Sequence, residues 1–192
     1  MKEALKEFVY NFEYLTKEEA DLIIEKTNLQ SFKKGTILLS EGEIAKNCYA
    51  VIQGLVREYY YIDGVDKTTA FYTEGQPVNS FSSATNQTPS KHYWECAEDC
   101  ILTVGSDSLI NEMCELIPRL KEFILLEVEK NTGELQDRFA TFMTSSHEER
   151  FENLMATNPS LINRVPQYQI ASYLGVTPES LSRIKKRLLK KA

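Results

Sequence analysis

Three polar side chains near the carboxyl end of the sequence, Glu179, Ser182 and Arg183, are spaced so that a helix presents them on one face. Arg183 can make a bidentate contact with guanine, Glu179 can accept from the cytosine amino group, and Ser182 can pair with several bases. Side chains suited to phosphate contacts surround them, namely Gln167, Tyr168, Thr177, Ser180, Lys185, Lys186, Arg187 and Lys190. These residue types favour binding to double-stranded DNA.

The residues around this polar face indicate the elements that must position it. Gly175 can adopt the backbone conformation of a sharp turn, Thr177 can cap a following helix, and Pro178 suits that helix's first turn. Apolar or small residues stand where two crossing helices would touch, at Ile170, Ala171, Leu174, Val176, Leu181 and Ile184. The pattern predicts a helix-turn-helix whose second, recognition helix covers residues 177–190. The alternative is an ordinary solvated basic helix, which would need neither the turn glycine nor the matching apolar stripe.

The distribution of charge also singles out this end of the chain. The 192 residues carry a net charge of −6, which taken alone argues against a nucleic-acid partner. Residues 164–192, however, hold seven Lys or Arg against one Glu, whereas residues 1–163 hold 15 basic and 27 acidic side chains. The basic end can bind phosphate while the acidic remainder resists a DNA or membrane surface. A hydrophobic content of 42% excludes general disorder and predicts packed cores.

A β-rich segment lies in the first half of the chain. From residue 28 to about residue 104, short β-type runs are separated by glycines at roughly ten-residue spacing. This spacing is typical of a jelly-roll barrel. Two short helices are predicted before it, and Thr16 with Glu19 forms the capping box of the second.

One long helix is predicted from Pro118 to about Met143. Its apolar positions alternate spacings of three and four, as in a coiled-coil seam, at Leu125, Val128, Thr132, Leu135, Phe139 and Phe142. We expect this seam to join two copies of the chain; packing of the helix on its own barrel is the alternative. The fold class is therefore α+β, with a barrel sensor domain over 1–117, a dimerisation helix over 118–144 and an all-α DNA-binding domain over 145–192.

The cysteines and histidines do not have the spacing of a metal site. They are scattered over the chain, at Cys48, His92, Cys96, Cys100, Cys114 and His147. Free, mostly buried thiols in a reducing compartment are the simplest interpretation. The charged amino terminus has neither the apolar run of a signal peptide nor that of a membrane span. We therefore expect a cytoplasmic protein with no membrane partner and no bound metal.

The order of barrel, long helix and helix-turn-helix resembles the Crp/Fnr family of bacterial transcription regulators over essentially the whole chain. Residues 33–60, KKGTILLSEGEIAKNCYAVIQGLVREYY, are similar to the family's glycine-punctuated barrel, and residues 164–188, RVPQYQIASYLGVTPESLSRIKKRL, are the closer match. The resemblance implies that Glu179 and Arg183 read bases and that RNA polymerase is a partner. Ser182 resembles the oxygen-sensor branch, while Pro178 replaces a base-contacting arginine of the cyclic-AMP receptors.

The chain departs from the family at the small-molecule site. Positions corresponding to the Gly-Glu and Arg-Ser pairs of cyclic-AMP receptors fall on residues 79–81 and 90–92. No carboxylate remains there for the ribose, and only Lys91 remains for a phosphate, so cyclic AMP is not expected to bind. Another effector, or none, is expected, with Ser80, Phe81, Lys91 and His92 as the candidate pocket. The alternative is that the aromatic residues of the barrel are plain core.

Two further family features are also absent. No cysteine precedes Cys48, so an iron-sulfur cluster is not expected. Haem binding through His92 remains an open alternative. The sequence ends at Ala192, directly after the recognition helix, where most of the family continues into a β-hairpin wing. We therefore expect a short form in which Lys190 and Lys191 replace the phosphate contact of a wing, or no such contact exists.

The leading hypothesis is a homodimeric, sequence-specific DNA-binding transcription regulator. Its recognition helices would lie in the major grooves of a near-palindromic site, and its barrel would sense an unknown effector or none. The alternative is a barrel-based sensor that acts through protein-protein contacts rather than DNA. An enzyme is not expected, because a metalloenzyme on this barrel would need clustered histidines and no Ser-His-Asp or Cys-His spacing indicates nucleophilic catalysis.

Overall fold

The computed structural model describes residues 1–12 and 14–188. The helices are α1 (Lys2–Tyr10), α2 (Lys17–Lys26), α3 (Phe81–Asn86), α4 (Asp107–Leu116), α5 (Pro118–Thr144), α6 (His147–Thr157), α7 (Leu161–Arg164), α8 (Gln167–Leu174) and α9 (Pro178–Leu188). The strands are β1 (Asn28–Phe32), β2 (Ile37–Leu39), β3 (Cys48–Gln53), β4 (Val56–Ile62), β5 (Val65–Tyr72), β6 (Pro77–Val78), β7 (Tyr93–Cys96) and β8 (Cys100–Gly105). Antiparallel sheets followed by helices confirm the predicted α+β fold class.

The chain divides into two compact units. The first comprises Met1–Tyr60 and Ala70–Lys121. The second comprises Tyr61–Thr69 and the chain from Glu122 onwards. The segment Tyr61–Thr69 contains the end of β4, the turn after it and the first part of β5. The helical second unit therefore includes the tip of a β-hairpin, which the sequence did not indicate.

Two four-stranded antiparallel sheets form the body of the first unit. Their strand orders are β1-β8-β3-β6 and β2-β7-β4-β5. β1 pairs with β8 from Asn28 opposite Val104 to Phe32 opposite Cys100, and β4 pairs with β7 with Arg57 opposite Glu95. Side chains from both sheets share one core, in which the fully buried members are Val51, Val56, Val78, Trp94, Cys96 and Leu102. This is the sheet-on-sheet packing of a jelly-roll barrel.

The amino-terminal helices pack on the outside of the first sheet. Buried Leu5, Val9 and Ala20 form a cluster with Ile52 of β3. α2 begins at the predicted capping box, because the Thr16 hydroxyl accepts from the Glu19 backbone N–H at 3.2 Å and the Glu19 carboxylate accepts from the Thr16 N–H at 2.8 Å. Both predicted helices are thus confirmed.

A tight turn connects β4 to β5. Asp63 and Gly64 both have positive φ, at 52° and 76°. Two consecutive left-handed residues form the type I′ turn that suits the twist of a β-hairpin, and Asp-Gly is a preferred pair there. β5 lies at the outer edge of its sheet, since β4 is its only neighbour in the strand order.

Helix α5 and the shorter helices after it form most of the second unit. α5 has 27 residues and none of them is buried, so a helix about 40 Å long exposes its apolar positions. α6 begins at a second capping box, between Ser146 and Glu149. Phe151, Leu154, Leu161, Ile170, Leu181 and Ile184 are buried on the facing sides of α6 to α9.

Several short elements were not predicted. β1 has the sequence NLQSF and no buried residue, so it lacks the apolar alternation that identifies a strand. β6 is only two residues long. α3 has the sequence FSSATN, and its Ser, Thr and Asn residues compete with a helix for backbone hydrogen bonds. These elements depend on tertiary contacts rather than on local pattern.

Candidate nucleic-acid interface

The turn between α8 and α9 depends on Gly175. This residue has φ +72° and its N–H bonds to the Ala171 and Ser172 carbonyls, while the Val176 N–H bonds to the Ala171 carbonyl at 2.9 Å. These bonds end α8 in the manner of a Schellman motif. A Cβ atom at position 175 would lie 3.2 Å from Phe142 Cζ and 3.3 Å from Arg150 Nη1. Gly175 is therefore required both by its backbone conformation and by the space around it.

Thr177 starts the second helix of the pair. Its hydroxyl accepts from the Ser180 N–H at 3.2 Å, and Pro178 occupies the first helical position. Leu181 and Ile184 are 1% and 2% exposed and hold α9 against the rest of the unit. The recognition helix was predicted over residues 177–190; α9 covers Pro178–Leu188, and residues 189 and 190 lie outside the described residues.

The opposite side of α9 carries the three predicted base-reading residues. Glu179, Ser182 and Arg183 are all exposed, and Arg183 Nε donates to the Glu179 carbonyl at 3.4 Å. The Glu179 backbone N–H, and next the Thr177 hydroxyl, hold the pKa of the Glu179 carboxyl below its usual value. Glu179 is consequently an acceptor at neutral pH, as a contact with the cytosine amino group requires.

Some of the predicted phosphate contacts remain exposed. Tyr168, Thr177 and Lys186 are exposed, and Ser180 is half-buried beside Thr177, with 3.2 Å between the two hydroxyl oxygens. Lys190, the last residue of that predicted set, lies outside the described residues. Of these residues, Ser180 and Lys186 line one depression together with Arg183, so a hydroxyl and an ammonium group lie near a predicted base-reading residue.

Other predicted phosphate contacts already have partners within the unit. Lys185 Nζ donates to Gln167 Oε1 and lies 5.8 Å from the centre of the Phe151 ring, and burial lowers its pKa. The Gln167 Nε2 also donates to the Ile162 carbonyl at 3.3 Å. Arg187 forms an ion pair with Glu148 at 3.5 Å. These side chains hold α9 to α8 and α6.

A groove runs beside α9. One part, of about 500 Å³, is lined by His147, Ser180, Arg183, Ile184, Lys186 and Arg187. A second part, of about 360 Å³, is lined by Lys67, His147, Ser172, Gly175, Val176, Thr177 and Ser180. The two parts share His147 and Ser180, and none of the described residues that line either part is acidic. Sequence reasoning did not place Lys67, His147 or Ser172 here, because no local pattern relates them to α9.

Arg150 connects the end of α5 with the turn between α8 and α9. Its Nη1 donates to the Leu174 carbonyl at 3.1 Å, and its guanidinium lies 3.9 Å from the centre of the Phe142 ring. Phe142, one of the predicted seam residues, therefore packs within its own chain. The other seam positions, Leu125, Val128, Thr132, Leu135 and Phe139, are exposed.

The predicted effector-pocket residues divide by burial. Ser80 and His92 are buried, whereas Phe81 and Lys91 are exposed. His92 lies between Tyr60 and Trp94, and its Nε2 is 3.7 Å from Glu58 Oε2. Among the described residues, neither Ser80 Oγ nor His92 Nε2 has a hydrogen-bond partner. The structure thus buries only two of the four predicted residues, and each of these two has a buried polar atom without a partner among the described residues.

Within the described part of the chain, no helix is both long and apolar enough to cross a membrane.

Comparison with known proteins identifies the barrel and the overall fold. Residues 29–115 match the family model of the cyclic nucleotide-binding domain. FixK2 from Bradyrhizobium japonicum is 18% identical and has a TM-score of 0.71, covering 86% of this chain and 85% of its own. CLP from Xanthomonas campestris, a c-di-GMP responsive global regulator, is 14% identical with a TM-score of 0.71, covering 92% and 93%.

A CooA variant from Carboxydothermus hydrogenoformans is 16% identical with a TM-score of 0.68, covering 95% of this chain and 83% of its own. A comparison with curated proteins finds no match. At these identities the structural similarity establishes the fold and not the ligand. Residues 29–115 therefore carry the cyclic nucleotide-binding domain fold, and the chain as a whole has the fold of the Crp/Fnr-type regulators.

Proposed function

We propose that this protein is a homodimeric, sequence-specific DNA-binding transcription regulator in which α8 and α9 form a helix-turn-helix. The observation that carries the proposal is the two-sided character of α9. Leu181 and Ile184 are buried on one side, while Glu179, Ser182 and Arg183 are exposed on the other. A helix held in this way can enter the major groove with its polar side toward the base edges.

Within this surface, base reading and phosphate contact fall to different residues. Arg183 and Glu179 have the donor and acceptor groups that distinguish guanine and cytosine, and Ser182 adds a group that serves as either. Thr177, Ser180 and Lys186 contact phosphates, which fixes the position of α9 without reading sequence. Lys185, Gln167 and Arg187 can join them only by exchanging their present partners.

Dimerisation through α5 supplies the second reading helix. The exposed seam repeats at spacings of three and four over most of α5, which is the pattern of two helices packed side by side. Two copies related by a two-fold axis would place their α9 helices in successive major grooves about 34 Å apart. The DNA site is therefore a near-palindrome.

The barrel acts as the sensing part of the regulator. The fold of CLP, a c-di-GMP responsive regulator, supports an effector role for this domain without identifying a ligand. Cyclic AMP is not the expected effector, because residues 79–81 and 90–92 lack the family's carboxylate and arginine. Buried His92 and Ser80 are the side chains through which another ligand would bind. RNA polymerase is the protein partner implied by a regulator of this type.

Arg183→Ala tests the assignment. Duplexes selected from a random-sequence pool by the purified protein supply the site, and competition binding then measures affinity and base preference. We expect a loss of roughly 1–3 kcal/mol and relaxed preference at one position in each half-site. Lys186→Ala is the matched control, because loss of a phosphate contact weakens all sequences about equally.

Unchanged affinity and preference in Arg183→Ala would show that α9 does not read bases through this face. If the wild-type protein bound duplexes without a steep dependence on salt, the protein-protein alternative would replace the proposal, because phosphate contacts release counterions.

A further inference from the structure

We propose that Lys67, in the β4–β5 hairpin, is a DNA phosphate contact and extends the interface beyond the helix-turn-helix. This inference rests on the proposed function. It adds to the interface a residue of β5, which lies far from α8 and α9 in the sequence. Lys67 belongs to the part of the hairpin that lies in the second unit, together with α8 and α9. Three observations carry it: the attachment of the hairpin, the direction of Lys67, and the composition of the groove.

The Ser172 hydroxyl attaches the hairpin to α8. Ser172 Oγ accepts from the Thr68 N–H at 2.9 Å and donates to the Asp66 carbonyl at 3.4 Å. In a strand, the N–H of one residue and the carbonyl of the residue two positions before it point to the same edge. One hydroxyl therefore satisfies both groups on the free edge of β5, and β5 is fixed at a defined position on α8.

The alternation of β5 then determines where Lys67 points. Thr68 is 4% exposed, and successive side chains in a strand lie on opposite faces. Lys67 is accordingly exposed on the other face, while Asp66 shares the face of Thr68. Among the described residues the Lys67 ammonium belongs to no ion pair, so its charge is available to a ligand.

The groove that Lys67 enters is suited to phosphate. Its lining combines Lys67 with Thr177 and Ser180, and none of the described residues that line it is acidic. Its volume of about 360 Å³ is open to solvent, so a backbone phosphate of a duplex can reach it. The groove continues through Ser180 to Arg183 and Lys186. A phosphate bound beside Lys67 would therefore belong to the same duplex that α9 contacts.

Salt titration of duplex binding tests the inference. With a duplex selected from a random pool, we expect Lys67→Ala to weaken binding three- to tenfold at low salt. The slope of log affinity against log salt should fall by about one unit for each half-site. Base preference should not change, and Lys67→Arg should keep the wild-type slope. Lys17→Ala, which removes an exposed charge from α2 in the first unit, is the control for long-range electrostatic effects.

The attachment by Ser172 supplies a second, independent test. Ser172→Ala should reduce duplex affinity in the wild-type background. In Lys67→Ala it should have no further effect, because Ser172 contributes to binding only by positioning Lys67. Ser172→Thr, which keeps the hydroxyl, should preserve the coupling. Circular dichroism checks that α8 is intact, as expected for an alanine in a helix.

The possible outcomes separate this inference from the proposed function. If wild-type protein binds duplexes with a steep salt slope but Lys67→Ala keeps that slope, Lys67 is no contact and the inference fails alone. Tighter binding by Lys67→Ala would also overturn it, because the hairpin would then mask the interface rather than extend it. Absence of duplex binding by the wild-type protein overturns both.

Discussion

Gly175 shows how much of the interface can depend on one residue. Its left-handed backbone ends α8, and the missing side chain leaves room for Phe142 and Arg150 at the turn. A Cβ atom at this position would be strained by the positive φ and would also be crowded by these two side chains. The turn between α8 and α9 thus depends on a residue outside the proposed base-reading set.

Gly175→Ala should destabilise the protein by roughly 1–3 kcal/mol, since a non-glycine residue in the left-handed region costs about 1–2 kcal/mol before crowding is counted. Thermal or urea unfolding measures the loss. Gly133→Ala is the matched control, because a Cβ at position 133 of α5 meets nothing within 4 Å and should stabilise the helix by up to about 1 kcal/mol. Equal effects from both substitutions would contradict this account of the turn.

At the scale of elements, the start of α6 is fixed by reciprocal hydrogen bonds. The Ser146 hydroxyl accepts from the Glu149 N–H at 3.3 Å, and the Glu149 carboxylate accepts from the Ser146 N–H at 2.7 Å. The bond from the Ser146 N–H is the main reason that the Glu149 pKa lies below its usual value. α6 therefore depends on the charge state of one exposed carboxyl group.

This dependence gives a prediction for acid stability. A lowered folded-state pKa means that the contribution of Glu149 is complete above the ordinary Glu pKa of about 4.3 and is lost as the pH falls through the lowered value. Glu149→Gln keeps a capping side chain that does not titrate. Urea unfolding between pH 6 and pH 3 should show a smaller loss of stability in Glu149→Gln than in the wild type. A loss as large as that of the wild type would show that Glu149 makes no such contribution.

The same elements show what the sequence can and cannot predict. A helix boundary could be predicted at Thr16 with Glu19 and at Thr177 after Gly175, because the hydrogen bonds that make each boundary lie within a few residues. The attachment of the hairpin to Ser172 joins positions more than 100 residues apart, and no local pattern contains it. The exposed polar side of α9 could therefore be predicted, whereas the position of Lys67 beside Thr177 and Ser180 could not.

At the scale of the whole molecule, the proposed dimer accounts for the exposed apolar surface of α5. α5 leaves its apolar residues exposed along about 40 Å of helix, and its seam residues Leu135 and Phe139 are 59% and 66% exposed. Burial of such a surface by an identical helix is favoured by about 25 cal/mol for each Å² of apolar area. Dimerisation would double the number of proposed phosphate and base contacts.

Leu135→Glu should convert the dimer to a monomer, because it places two like charges opposite each other in an apolar seam. Sedimentation velocity measures the assembly, and duplex binding should weaken with it. Leu126→Glu is the matched control, since Leu126 is just as exposed, at 62%, but lies off the seam. A dimer that survived Leu135→Glu, or one lost equally in Leu126→Glu, would place the contact between copies elsewhere.

The Ser172 hydroxyl also bears on aggregation. β5 ends its sheet, and a free strand edge is a template on which other chains add strands. While Ser172 occupies the Thr68 N–H and the Asp66 carbonyl, that edge offers fewer sites for strand addition. Release of the hairpin from α8 would free both groups at once. The residue that sets the position of Lys67 thus also protects the protein against self-association through its sheet.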